Sequence, residues 1–100
     1  MLTELRVYTT HPGMAAPFAK LYQEEGLPLQ LPVGGKLVGF YRSEAGNPNE
    51  VILIWEYESY DDRLKRREDI FKVPGWMDFI KKTAPLVKSE ENKFLNAIDY

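Results

Sequence analysis

The sequence predicts an α+β domain: a four-stranded antiparallel sheet with its helices gathered on one side. Three observations carry this. Residues 50–57 read as a strand with two largely apolar faces, Val51, Leu53, Trp55 and Tyr57 on one and Ile52, Ile54 and Glu56 on the other. Turn-forming clusters at residues 11–13 and 45–49 separate the apolar runs. Segments with apolar residues at helical spacing alternate with the strand-like ones.

Residues 2–10 alternate as a first strand, with Leu5, Val7 and Thr9 on one side and Glu4, Arg6 and Tyr8 on the other. His11, Pro12 and Gly13 make a turn. Residues 14–25 predict a helix, with Pro17 tolerable in its first turn and Phe18, Leu21 and Tyr22 as its apolar stripe. Gly26 stands where a helix-terminating glycine belongs, and Pro28 follows it. Residues 27–33 then read as at most one more helical turn and a loop.

Gly34 and Gly35 open a second strand over residues 36–43, which forms a hairpin with the strand at 50–57. Ser59 and Asp62 have capping-box spacing and start a helix that runs to about Phe71. Pro74 predicts a restart at the first position of another helix, with Trp76, Phe79, Ile80 and Thr83 as its buried stripe and Pro85 closing it. Residues 88–98 are poorer in apolar side chains and predict an edge strand.

The order β-α-β-β-α-β is the ferredoxin-like unit, with helices packed on one face of the sheet. Phe18, Leu21, Leu64, Phe71, Trp76, Phe79 and Ile80 are expected to cover that face. The apolar second face of the strand at 50–57 then needs a partner, and a second copy of the chain is the simplest one. The expectation is a homodimer whose two sheets pack face to face as a dimeric α/β barrel.

One hundred residues make one domain, residues 1–100, able to bury a core. A net charge of -2 disfavours nucleic acid, which selects basic surfaces. The absence of cysteine excludes disulfides, thiol catalysis and thiolate metal sites, and one histidine cannot build a multi-histidine centre, so no metal or cofactor is expected. No apolar run approaches a membrane span, and the first residues lack a signal-like pattern, which leads to a cytoplasmic expectation.

Several short motifs occur in order along the chain. They are Glu4 to Tyr8, then Pro12 and Gly13, then the run from Gly34 to Gly39, then Ile54 to Tyr57. The arginine-rich run from Arg63 to Arg67 and the step Pro74, Gly75, Trp76 complete them. In these the chain resembles the NIPSNAP family. The resemblance implies the dimeric α/β-barrel fold, and this chain looks like the family's short bacterial members. The larger animal members carry mitochondrial targeting segments, and the family name reflects a proposed link to vesicle transport. Relatives by fold include cofactor-free monooxygenases, small isomerases and haem enzymes, an analogy of fold alone.

Candidate chemistry centres on Arg6, Tyr8 and Glu56. Neighbouring first and third strands could bring them onto one face, where they would orient an anionic or carbonyl-bearing ligand or form a structural cross-strand ion pair. Arg42 could join them, or be solvated at its strand end. His11 holds a rim position where a general base could sit, although exposed loop histidines are commoner. Arg63, Lys65, Arg66 and Arg67 are interleaved with Asp61, Asp62, Glu68 and Asp69, which reads as a solvated helix face. Trp76 reads as a core anchor rather than a ligand contact. The sequence thus points to a dimeric barrel that binds a small apolar or carbonyl-bearing ligand. The alternatives are a cofactor-independent enzyme of the monooxygenase or isomerase type and a non-catalytic interaction module.

Overall fold

The computed structural model describes residues 1–100. Strand β1 (Leu2–Thr10) leads into helix α1 (Ala15–Leu21), a π-helical turn (Tyr22–Gly26) and the short α2 (Leu27–Gln30). The hairpin β2 (Lys36–Arg42) and β3 (Glu50–Tyr57) follows, then α3 (Tyr60–Ile70), α4 (Trp76–Thr83), a 3-10 turn and β4 (Val87–Leu95). The sheet is antiparallel in the order β2-β3-β1-β4, the ferredoxin-like arrangement the sequence predicts. The molecule measures 39 × 36 × 19 Å, a plate only two layers thick. No helix is long and apolar enough to cross a membrane.

Two helix boundaries differ from expectation. Gly26 does not end a helix: the chain stays helical through it to Gln30. The π turn, closed by Leu27 N–H bonding the carbonyl of Tyr22, shifts the ladder just before Pro28, which has no N–H to offer. Glycine serves close packing here, because a Cβ at Gly26 would stand 2.4 Å from the Phe79 ring. Pro74 likewise does not occupy the first position of α4. Gly75, at φ +92°, precedes Trp76 in the left-handed region and turns the chain into the helix. The Ser59 cap forms as expected, its hydroxyl oxygen accepting from the Asp62 N–H at 3.1 Å. The final strand ends at Leu95 rather than Ile98.

The core lies between the sheet and the helices. Val51, Leu53 and Trp55 are fully buried beneath Phe18, Tyr22, Ile70, Trp76 and Phe79. Leu64, Phe71 and Ile80, expected in the cover, are exposed, and Ile70 takes the inward position on α3. The register decides the rest. Glu4, Arg6 and Tyr8 pair with Trp55, Leu53 and Val51, so β1 turns its polar side toward the helices. Leu5 and Val7 pair with Ile54 and Ile52 on the uncovered side, where all four are only half-buried.

Candidate functional site

The polar side of β1, lying under the helices, builds a site. Arg6 is buried and donates Nη2–H to the Glu90 carboxylate at 2.6 Å. Its Nε and Nη2 also donate to the Tyr8 hydroxyl oxygen at 3.1 and 2.9 Å. Glu4, wholly buried, anchors the far end of this network. Its two oxygens accept the Nε and Nη2 donors of Arg63 at 3.2 and 2.9 Å, a bidentate pair that ties α3 to β1. Asn92 at 2.7 Å, the Tyr57 hydroxyl at 3.2 Å and Arg6 at 3.4 Å complete its shell. Two carboxylates thus meet two guanidiniums, which is how buried charge becomes tolerable.

The electrostatics follow the geometry. Burial pushes the Glu4 carboxyl up, but the Arg63 hydrogen bonds and the positive charge of Arg6 outweigh it and hold it below the usual carboxylate range. Burial raises the Tyr8 phenol despite the nearby Arg6 charge, so Tyr8 keeps its proton. Burial also raises Tyr57, to about 12, with the Glu4 charge adding to it.

Beside this network a cavity of about 410 Å³ opens between the sheet and the helices. Nine of its fourteen lining residues are hydrophobic, which suits an apolar ligand body. Phe18, Tyr22, Trp76 and Phe79 are its buried aromatic wall, the exposed Phe71, Ile80 and Ala84 lie at its mouth, and Arg6, Tyr8, Arg67 and Glu90 give it its charged and hydroxyl groups. The Tyr22 hydroxyl donates to Gln30 Oε1 at the edge of this space. Tyr8 matters most. Its oxygen accepts two Arg6 bonds, and its own O–H has no protein acceptor. No cluster of three or more His, Asp or Glu side chains is placed to hold a metal ion.

Of the residues singled out in the sequence, Arg6 and Tyr8 meet in the cavity. Glu56 does not join them: it lies on the opposite sheet face, beside Thr3 and Lys36. The side-chain period of two sets this, because Glu56 lies one residue out of step with Trp55 and Tyr57. The carboxylate that Arg6 meets instead is Glu90, from β4. Arg42 is exposed at the β2 edge, in a separate shallow groove beside α1. The His11 side chain is exposed and only its backbone is engaged, its N–H bonding Leu86 O and its carbonyl accepting from Met14. Trp76 is a core residue and also a cavity wall, so its two readings are not exclusive.

The α3 arginines are not one solvated face either. Arg66 pairs with Asp62 as its spacing predicts, but Lys65 reaches Asp69, Arg63 turns inward to Glu4, and Arg67 lines the cavity. Sequence reasoning missed Glu4, Glu90, Asn92 and Arg63 as site residues. A signal existed for three of them. Glu4 shares the face of Arg6 by alternation, and Glu90 and Asn92 share a face of an edge strand poor in apolar residues.

Comparison with known proteins agrees with this architecture. The NIPSNAP family model matches residues 3–100. The chain belongs to the NIPSNAP family. A NipSnap homolog of Dictyostelium discoideum is 31% identical over 90 residues, 90% of this chain and 40% of that protein. The chain spans less than half the length of the curated relatives it matches. The crystal structure of a NIPSNAP family protein from Agrobacterium tumefaciens is 34% identical with a TM-score of 0.93, covering 99% of this chain and 94% of that one. A putative antibiotic biosynthesis monooxygenase from Nitrosomonas europaea shares the fold at a TM-score of 0.73. It is 10% identical, over 99% of this chain and all of that one, a likeness of fold alone.

Proposed function

We propose that this NIPSNAP domain binds a small, mainly apolar molecule bearing a carbonyl or similar acceptor oxygen, in the cavity between sheet and helices, as a homodimer. The observation that carries the ligand reading is the Tyr8 hydroxyl, held by two Arg6 hydrogen bonds with its own proton uncommitted beside an apolar cavity. A donor fixed in this way orients a ligand at little reorganisation cost. The only carboxylate lining the cavity is Glu90, already engaged with Arg6, and no histidine faces it. That supports binding over proton abstraction of the isomerase or cofactor-independent oxygenase kind.

The two tryptophans make the test direct. Trp76 lines the cavity and Trp55 lies in the core below the helices. A panel of aromatic ketones and lactones titrated into nitrogen-15-labelled protein should shift the Trp76 indole and the Thr83 amide. Shifts confined to β2 and β3 residues of the uncovered sheet face would reject the cavity as the site.

The assembly reading rests on the uncovered face. Four strands of about eight residues make a surface of roughly 20 by 26 Å. Its centre is Leu5, Val7, Ile52 and Ile54, with Lys36 and Glu56 at one corner and Glu91 and Lys93 along the β4 edge beside Val7 and Leu5. An apolar centre with a mixed-charge rim is the anatomy of an interface. A second copy would add the missing third and fourth layers to a 19 Å plate. Sedimentation is expected to give a dimer at micromolar concentration, and a folded monomer there would reject it.

A further inference from the structure

Two cations, Arg6 and Arg67, and one carboxylate, Glu90, line the cavity, and the buried Glu4 behind them is already matched by Arg63. Glu4 takes Arg63, and Glu90 takes Arg6. Arg67 remains and forms no ion pair. The reason is written in its helix: positions three and four residues away are Arg63, Leu64, Ile70 and Phe71, none of them acidic. Its neighbours Lys65 and Arg66 have Asp69 and Asp62 at that spacing and use them. The Arg67 guanidinium instead lies 5.6 Å from the Phe71 ring centre and lines the same cavity as Tyr8. An unpaired cation and an uncommitted hydroxyl donor therefore line one mainly apolar cavity, near enough for the Arg67 charge to act on the Tyr8 phenol.

We infer that the ligand is a singly charged oxyanion on an apolar body, its oxygens received by the Tyr8 O–H and the Arg67 guanidinium. This deepens the cavity reading proposed above and rests on it. One negative charge completes the local neutrality. A second would meet Glu90 with no cation left to balance it. Charge-assisted hydrogen bonds from guanidinium to an oxyanion are stronger than neutral ones, so the head group selects the class and the aromatic wall holds the body.

A matched pair of fluorescent probes tests this. One is 8-anilino-1-naphthalenesulfonate, an apolar body with one oxyanion. The other is N-phenyl-1-naphthylamine, the same body without it. At low salt the anionic probe should bind about tenfold more tightly than the neutral one. Arg67→Gln should remove most of that preference and leave the neutral probe within about twofold, whereas Arg67→Lys should keep part of it. Tyr8→Phe should also lower the preference. Ala84→Trp, at the cavity mouth, should block both probes. If Ala84→Trp blocks both but Arg67→Gln leaves the preference intact, the cavity reading stands and the oxyanion inference fails. An equal loss of both probes in Arg67→Gln also overturns it, because Arg67 would then act only by packing on Phe71. Binding of both probes that Ala84→Trp leaves untouched overturns the cavity reading and the inference with it.

Discussion

The two sides of β1 invert the usual rule. The side under the helices carries Glu4, Arg6 and Tyr8, and the side that faces away from them carries Leu5 and Val7. On neighbouring β3 both sides are apolar. A strand in an ordinary two-layer domain would be the other way round. The comparison teaches that the covered side of β1 adds a polar network to the core, and that the uncovered side leaves a half-buried aliphatic patch with no helix over it. The buried charges are acceptable because each carboxylate meets a guanidinium. The half-buried aliphatics of the other side are the surface on which the proposed second sheet would pack.

The strongest way to break this contrast is to remove the carboxylate on the covered side. Glu4→Leu strands Arg63 and the inner edge of Arg6 without their anion, and should cost roughly 3–5 kcal/mol in urea melts. A loss below about one kcal/mol would show that the network contributes little to folding.

Next comes the cavity wall. Trp76→Ala should cost about 3 kcal/mol, at the low end for a buried aromatic, because one side of the indole already faces open space. The same variant should weaken the binding of apolar probes, separating it from a purely structural aromatic such as Trp55.

On the uncovered side the expected effect is on assembly rather than folding. Ile54→Glu should leave a folded monomer, changed by less than about one kcal/mol, because its carboxylate can reach water once the sheets part. In the dimer the same group would lie between two sheets, where a buried charge is costly. Unchanged sedimentation of this variant would remove the open face as the interface.

The smallest effect is in acid. The Glu4 pKa is lower in the folded chain than in the unfolded one, so its share of stability is complete above the ordinary carboxylate range. It fades as pH falls through that range toward the folded value. Melts between about pH 3 and 7 should therefore show a shallower acid loss in Glu4→Gln than in the parent protein. Parallel curves would place the acid sensitivity elsewhere.

Much of this was legible in the residues. The four strands, the Ser59 cap and the Arg6 and Tyr8 pair follow from alternation, turn chemistry and side-chain spacing. What failed, failed for identifiable reasons. Gly26 looks like a helix end because glycine usually marks one, but here it makes room for Phe79, a contact 53 residues away. Adjacency of β1 and β3 suggests an Arg6–Glu56 pair, but the parity of Glu56 puts it beside Thr3 on the other face. Arg63 reads as solvated because acidic and basic residues are interleaved along α3.

By itself the sequence determined the order of elements, the two-sided apolar character of β3 and the alternation of charge and aliphatic residues along β1. These are local properties, set by a period of two or of 3.6. Only the tertiary structure decided which side of β1 the helices cover. That choice depends on the register between β1, β3 and β4, where one step moves every side chain to the other face. It placed Glu90 rather than Glu56 against Arg6, turned Arg63 toward Glu4, and left Tyr8 and Arg67 beside an apolar cavity.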